Sequence, residues 1–225
     1  SIPLLRHVAK FGKPMIVSTG GGSLEDIQRA YDAIMPINTQ LCVLQCTAAY
    51  PVEPEQMNLR VISTLREKFP DIVVGLSDHQ NGIALAPVAY ALGARVIEKH
   101  FTLNRAWKGT DHAFSLEPVG LTKLVRDLQR TRVGLGDGIK RPYDNELKPM
   151  LKMAKKLVAA RDLPAGHVLR AQDIALKSPN DGLSPQLYDS LIGARLLAPL
   201  AEDQNLALET LELASGQTVP TPAGT

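Results

Sequence analysis

His79 and His100 are the residues around which chemistry can be built. Each closes a short apolar run, in DIVVGLSDH and in ARVIEKH, and an apolar spacer long enough for one helix separates them. If the two runs are neighbouring parallel strands, both imidazoles point into one pocket. Such a pair suits a divalent metal or acid–base chemistry. Two protein ligands make a partial metal site, so substrate or water must supply the remaining oxygens. Glu98, one pleat below His100, is placed to orient that ring. The alternative is two unrelated strand-end histidines that hold loops.

Other groups could join them. Ser18-Thr19-Gly20-Gly21-Gly22 precedes a helix start, where hydroxyls, free N–H groups and the helix dipole can cradle an anion. The alternative is a flexible strand-to-helix loop. Ser77, after the third apolar run, is a second oxygen-binder or a simple turn residue. Asp111-His112 lies in the long loop WKGTDHAFSLEP, the kind of rim loop that carries substrate contacts or merely surface. Cys42 and Cys46 fall in one predicted strand, where they cannot pair, and with no further cysteine they read as buried free thiols. His7 and His167 receive no role.

These groups need a scaffold, and the chain supplies a rhythm. The strand centres Val17, Val43, Val74 and Val96 alternate with helical spacing. Met15–Val17, Leu41–Gln45, Ile72–Leu76 and Arg95–Lys99 are the predicted strands. Helices are predicted to about Ile34 and over Glu55–Phe69, Ile83–Leu92 and Glu117–Thr131. Ser23 reads as an N-cap, with acids in the first turn behind it. A βα repeat with right-handed crossovers gives a parallel sheet, and short strands ending in polar residues give the rim of a (β/α)8 barrel. Only four such units are present, whereas a closed barrel needs eight and about 250 residues.

Beyond the connector Gly134–Pro142 the style changes. Short β-type runs and Pro/Gly turns from Lys156 on predict a small compact module. Expected divisions are 1–145 for the partial barrel, 146–155 for a linker, 156–213 for the small module and 214–225 for a disordered tail. Net charge is +2 with no basic run, and aromatics are 4%, which argues against nucleic acid. No apolar stretch reaches the roughly 20 residues of a membrane span. Nor does the start of the chain carry the apolar core of a signal peptide. Unpaired thiols predict a reducing, cytoplasmic setting.

With VSTG, CTAAYP, GLSDH, EKHFT, GTDHAFSLEP and VAARDLPAG in order, the chain resembles the sialic acid synthase family from Ile2 to about Leu213. That family makes N-acetylneuraminic, legionaminic and pseudaminic acids. The resemblance implies an α/β fold: the C-terminal half of a (β/α)8 TIM barrel, strands five to eight, then a small antifreeze-like (SAF) β-rich domain. It implies condensation of phosphoenolpyruvate with the aldehyde of an N-acetylated amino sugar, releasing phosphate and forming a nonulosonic 2-keto acid. By motif match, His79 and His100 are the catalytic ligands of Mn²⁺ or Mg²⁺. Ser18 and Ser77 contact phosphoenolpyruvate, and Tyr50 and Asp111 contact the sugar. The family works as a dimer in which the antifreeze-like domain of one subunit caps the partner's barrel.

Three departures qualify the match. It begins just before the fifth barrel strand, and Ser1 is not a methionine. The expectation is therefore a fragment of a longer product, inactive alone, with an apolar sheet face and two strand edges exposed. Ala48 and Ala49 occupy a loop where sialic acid synthases often have Asn. Ser178 stands where many members have the arginine of an Arg-Pro-Gly loop. The competing readings are a non-catalytic assembly or binding module and another barrel lyase or aldolase. A Schiff-base aldolase would need an inward lysine, whereas Lys99 alternates with His100 and is predicted to face outward.

Overall fold

The computed structural model describes residues 1–214, so the tail expected at 214–225 lies, from residue 215 on, outside the described residues. The chain divides between Ile139 and Lys140 into two compact units.

The first unit is built from βα steps. Helix α1 (Ile2–Ala9) leads into strand β1 (Met15–Ser18). Helix α2 (Leu24–Ile34) begins on a capping box: Asp26 N–H donates to Ser23 Oγ, and Ser23 N–H donates to Asp26 Oδ2. Strand β2 (Leu41–Cys46), helix α3 (Val61–Lys68), strand β3 (Val73–Asp78), helix α4 (Leu85–Ala91) and strand β4 (Val96–Lys99) follow, then helix α5 (Pro118–Gly134). Helix α3 is shorter than its predicted span. Pro54–Gln56 forms only a separate 3₁₀ turn, and Asn58 adopts a left-handed φ of 40°, which breaks any helix passing through it.

The four strands form one parallel sheet in the order β1-β2-β3-β4. Register assigns the two faces. Met15, Val17, Leu41, Val43, Val74, Leu76 and Ile97 share the face that packs on Ile34, Ile62, Leu65 and Phe69 of the helical layer. Burial of such side chains stabilises by about 1.5–3 kcal/mol each. The other face carries Ser18, Cys42, Leu44, Cys46, Gly75, Ser77 and Glu98. Ile16 and Val73 lie in the same phase and are 58% and 45% exposed. The parallel half-barrel is the one expected, but its inner face is only partly open: Cys42 and Leu44, in the same phase, are buried. Gly75 is there for close approach. A Cβ on it would stand 2.4 Å from Val96 O and 2.5 Å from Leu44 Cδ2.

The second unit begins with helix α6 (Leu147–Met153), so the expected linker 146–155 is largely helical. Strands β5 (Lys156–Ala159) and β6 (Ile174–Lys177) pair antiparallel. After the short helix α7 (Tyr188–Leu191), strands β7 (Arg195–Leu196) and β8 (Leu211–Glu212) pair likewise. Leu157, Leu169, Leu191, Leu196 and Leu206 form its core. Asp173 is fully buried, and its Oδ2 accepts from His167 Nε2 at 2.8 Å and from Arg170 N–H at 2.9 Å. Its Oδ1 accepts from Arg161 Nε at 3.0 Å and Nη2 at 2.6 Å. Burial alone would raise the Asp173 pKa. The bonds from His167, Arg161 and Arg170 outweigh it and hold the group at about 2, against an ordinary 3.8.

Candidate functional site

Strands β3 and β4 end one residue before His79 and His100, at paired positions Asp78 and Lys99. The two imidazoles stand together, with ring centroids 5.0 Å apart. Tyr50, from the β2–α3 loop, lays its ring edge-on to His79 at 4.5 Å and to His100 at 6.0 Å. Phe114, buried in the loop after β4, closes the cluster 5.1 Å from His100. Asp111 of the same loop places Oδ2 3.6 Å from His100 Nδ1. That is ion-pair reach, beyond hydrogen-bond length. Four of the candidates therefore gather at one place: His79, His100, Tyr50 and Asp111.

The environments of the two rings differ. His79 is 7% exposed, and its Nδ1 faces Cys46 Sγ at 3.7 Å. Burial pushes its pKa below the ordinary imidazole value, and neighbouring His100 adds to the effect. His100 is half-buried. Tyr50 is 56% exposed, so the cluster opens to solvent on that side.

The serines behave differently from each other. Ser77 is buried in β3, not in the loop beyond it, and its Oγ donates to Glu98 Oε1 at 2.6 Å. Glu98 is therefore engaged by Ser77, and the carboxylate within ion-pair reach of His100 is that of Asp111. The cause is register: Ser77 and Glu98 are directly paired across β3 and β4. Ser18 ends β1 and is exposed, two strands away from β3. The loop beyond it is tied down by Thr19 Oγ1, which donates to Leu44 O at 2.8 Å. A cavity of about 550 Å³ opens there, lined by Thr19, Gly21, Gln45, Cys46, Thr47 and Asn58 among others. Cys46 borders both this cavity and His79. Cys42 is buried, which pushes its thiol up to about 11 and leaves it inert.

Sequence reasoning missed Phe114, Cys46 as a neighbour of His79, and Asp78. Lys99 faces away from the imidazoles, as strand alternation requires, but it is buried and paired with Asp78 rather than exposed. Opposite charges in the same strand phase, each directly before a histidine, were the available signal. No group of three or more His, Cys, Asp or Glu among the described residues is arranged to hold a metal ion. No helix among them is long and apolar enough to cross a membrane.

A parallel half-barrel with polar side chains gathered past the carboxyl ends of its strands defines an α/β barrel protein with a rim site. The chain belongs to the NeuB family, which residues 1–140 match, and residues 156–212 match the SAF domain. It is 39% identical over 94% of its length to N-acetylneuraminate-9-phosphate synthase of Mus musculus, covering 59% of that protein. It is 34% identical to N,N'-diacetyllegionaminic acid synthase of Legionella pneumophila, covering 94% of this chain and 61% of that protein. The crystal structure of the spore coat polysaccharide biosynthesis protein SpsE of Bacillus subtilis superposes with a TM-score of 0.58 at 30% identity, covering 95% of this chain and 65% of that one. The chain thus spans about three-fifths of the length of the curated relatives it matches.

Proposed function

We propose that the protein to which this chain belongs condenses phosphoenolpyruvate with an N-acetylated amino sugar, releasing phosphate and forming a nonulosonic acid. The observation that carries this reading is the paired imidazoles at the ends of β3 and β4, with Tyr50 and Asp111 beside them, in a chain whose relatives are synthases of such acids.

The residues fit a divalent ion, Mn²⁺ or Mg²⁺. Burial disfavours the charged form of His79 and so favours the neutral ring, the form that can ligate. Neighbours approach Nδ1 of each ring, Cys46 at His79 and Asp111 at His100, so the Nε2 atoms would be the ones to hold the ion. With two protein ligands, substrate and water oxygens would have to fill the other positions. Such an ion, when bound, polarises the aldehyde oxygen as a Lewis acid and orients the attacking water.

The rest falls to the chain's own side chains. Asp111 fixes the His100 ring by its charge and keeps an exposed edge for a sugar hydroxyl. Tyr50 walls the open side of the imidazoles and offers its phenol to the same sugar. Ser18 is free to donate to phosphoenolpyruvate. Ser77 can do so only by turning its hydrogen from Glu98 to the phosphate, so its contact is coupled to that carboxylate. The SAF unit serves a dimer, capping the partner's barrel. Ser178, whose Oγ donates to Met153 O at 3.2 Å, supplies no cation to that cap, which favours a sugar recognised without it.

The test is phosphate release by the protein expressed from its natural reading frame. Release should require phosphoenolpyruvate, an N-acetylated amino sugar and a divalent ion together, and should stop in chelator and return with Mn²⁺. Turnover without the sugar or without metal would favour another lyase or aldolase. No turnover with any such sugar, in a folded protein, would favour an assembly module.

A further inference from the structure

A buried ion pair lies directly behind the two imidazoles. Lys99 Nζ stands 2.9 Å from Asp78 Oδ2, and the side chains are 4% and 1% exposed. The residues are paired across β3 and β4, on the helix-facing side, in the phase of Leu76 and Ile97. They therefore point away from His79 and His100 and hold them through the backbone, although the Asp78 charge also bears on His79 through space.

That backbone is held on both sides of His79. Asp78 Oδ1 accepts from Gln80 N–H at 2.9 Å, and Lys99 Nζ also donates to Gln80 O. The residue before His79 and the residue after it are thus fixed to one ammonium group on β4. His100 directly follows that lysine. Val52 N–H donates to His79 O at 3.3 Å and Leu116 N–H donates to His100 O at 2.8 Å, which completes the frame. Burying two charges carries a desolvation cost that an apolar pair of equal volume would avoid, so stability is a poor reason for this pair. Directional bonds that fix register are a better one.

We propose that Asp78 and Lys99 are positioning residues: their ion pair and joint hold on Gln80 set the ends of β3 and β4 so that the His79 and His100 rings meet. The geometric claim stands apart from the proposed function, and its consequence for metal binding rests on that reading.

The experiment uses the chain with ¹⁵N-labelled histidine and two readouts, the nuclear Overhauser contact between the His79 and His100 rings and Mn²⁺ affinity. The variant Asp78→Asn/Lys99→Met leaves no unpaired buried charge. It should keep a cooperative melt, lose the ring-to-ring contact and bind Mn²⁺ at least about tenfold more weakly. Lys99→Arg keeps the charge but cannot reproduce the bonds to Gln80 O and Asp78, so it should weaken both readouts while folded. It decides the matter if the double variant does not fold. Either folded variant with the ring contact and the affinity of the parent chain overturns the proposal. A parent chain that shows the contact but binds no Mn²⁺ sinks the metal reading, while loss of the contact in the variants would still support the positioning role.

Discussion

Asp111 Oδ2 lies 3.6 Å from Nδ1 of His100, while Glu98, one pleat below that histidine, is turned to Ser77 at 2.6 Å. The carboxylate that bears on the His100 ring thus comes from a loop and not from the strand. Strand β4 presents the imidazole, and the loop after it brings a carboxylate within ion-pair reach of the ring. That loop is braced from within: Ser115 Oγ donates to Asp111 O at 2.6 Å, and Arg105 Nε donates to Ala113 O at 2.7 Å.

Asp111→Asn should therefore weaken Mn²⁺ binding by about 10–100-fold, the usual effect of losing a group that orients a ligating histidine. Glu98→Gln, which alters Ser77 instead, should leave Mn²⁺ affinity close to that of the parent. Isothermal titration of both variants checks the assignment, and the reverse order would return the orienting role to Glu98.

Acid should destabilise the first unit through His79. Its folded pKa lies below the ordinary 6.5, because burial disfavours the charged ring. Below about 6.5 the unfolded chain binds a proton that the folded chain resists, so stability is full above that pH and falls as pH drops through it. Denaturant melts at graded pH should show this loss, and His79→Gln should flatten it. An unchanged pH slope in His79→Gln would remove His79 as the cause.

Asp173 governs the acid limit of the second unit. Its folded pKa of about 2 is below the ordinary 3.8, so its contribution is present above about 4 and is lost as pH falls towards 2. Asp173→Asn should lower stability at neutral pH by about 1–3 kcal/mol, since Arg161 and His167 then face a group that cannot take their charge, while the exposed Arg161 keeps its water. Melting of the chain at neutral pH and at about pH 2 measures both arms, and the variant's deficit should shrink at low pH.

Gly75→Ala should destabilise the first unit by about 1–3 kcal/mol, the usual cost of forcing a methyl into a filled space. The methyl would meet Val96 O and Leu44 Cδ2, so β3 and β4 must separate. A weakened contact between the His79 and His100 rings should accompany the lost stability. Full stability would mean that the strands part without cost.

The βα rhythm was legible because apolar runs and helical faces follow periods that a sequence displays. His79, His100, Tyr50 and Asp111 were legible as candidates through spacing and through motifs resembling the family. What side chains do to one another was not. Ser77 pairs with Glu98 because of strand register, which no single strand carries. Lys99 was placed outward by alternation, but the face away from the imidazoles is the one covered by helices, where Asp78 meets it. Helix α3 was drawn too long because the left-handed turn at Asn58 leaves no mark in hydrophobic spacing.

In the proposed function, His79 and His100 together hold the ion on which condensation depends. The most direct measurement is the metal-dependent rate of phosphate release from phosphoenolpyruvate and the amino sugar, compared between the protein from its natural reading frame and its His100→Ala variant. His100→Ala should lose that rate by at least about 100-fold, with Mn²⁺ affinity lost in parallel and the fold retained. A folded His100→Ala protein that keeps a near-normal metal-dependent rate would contradict it.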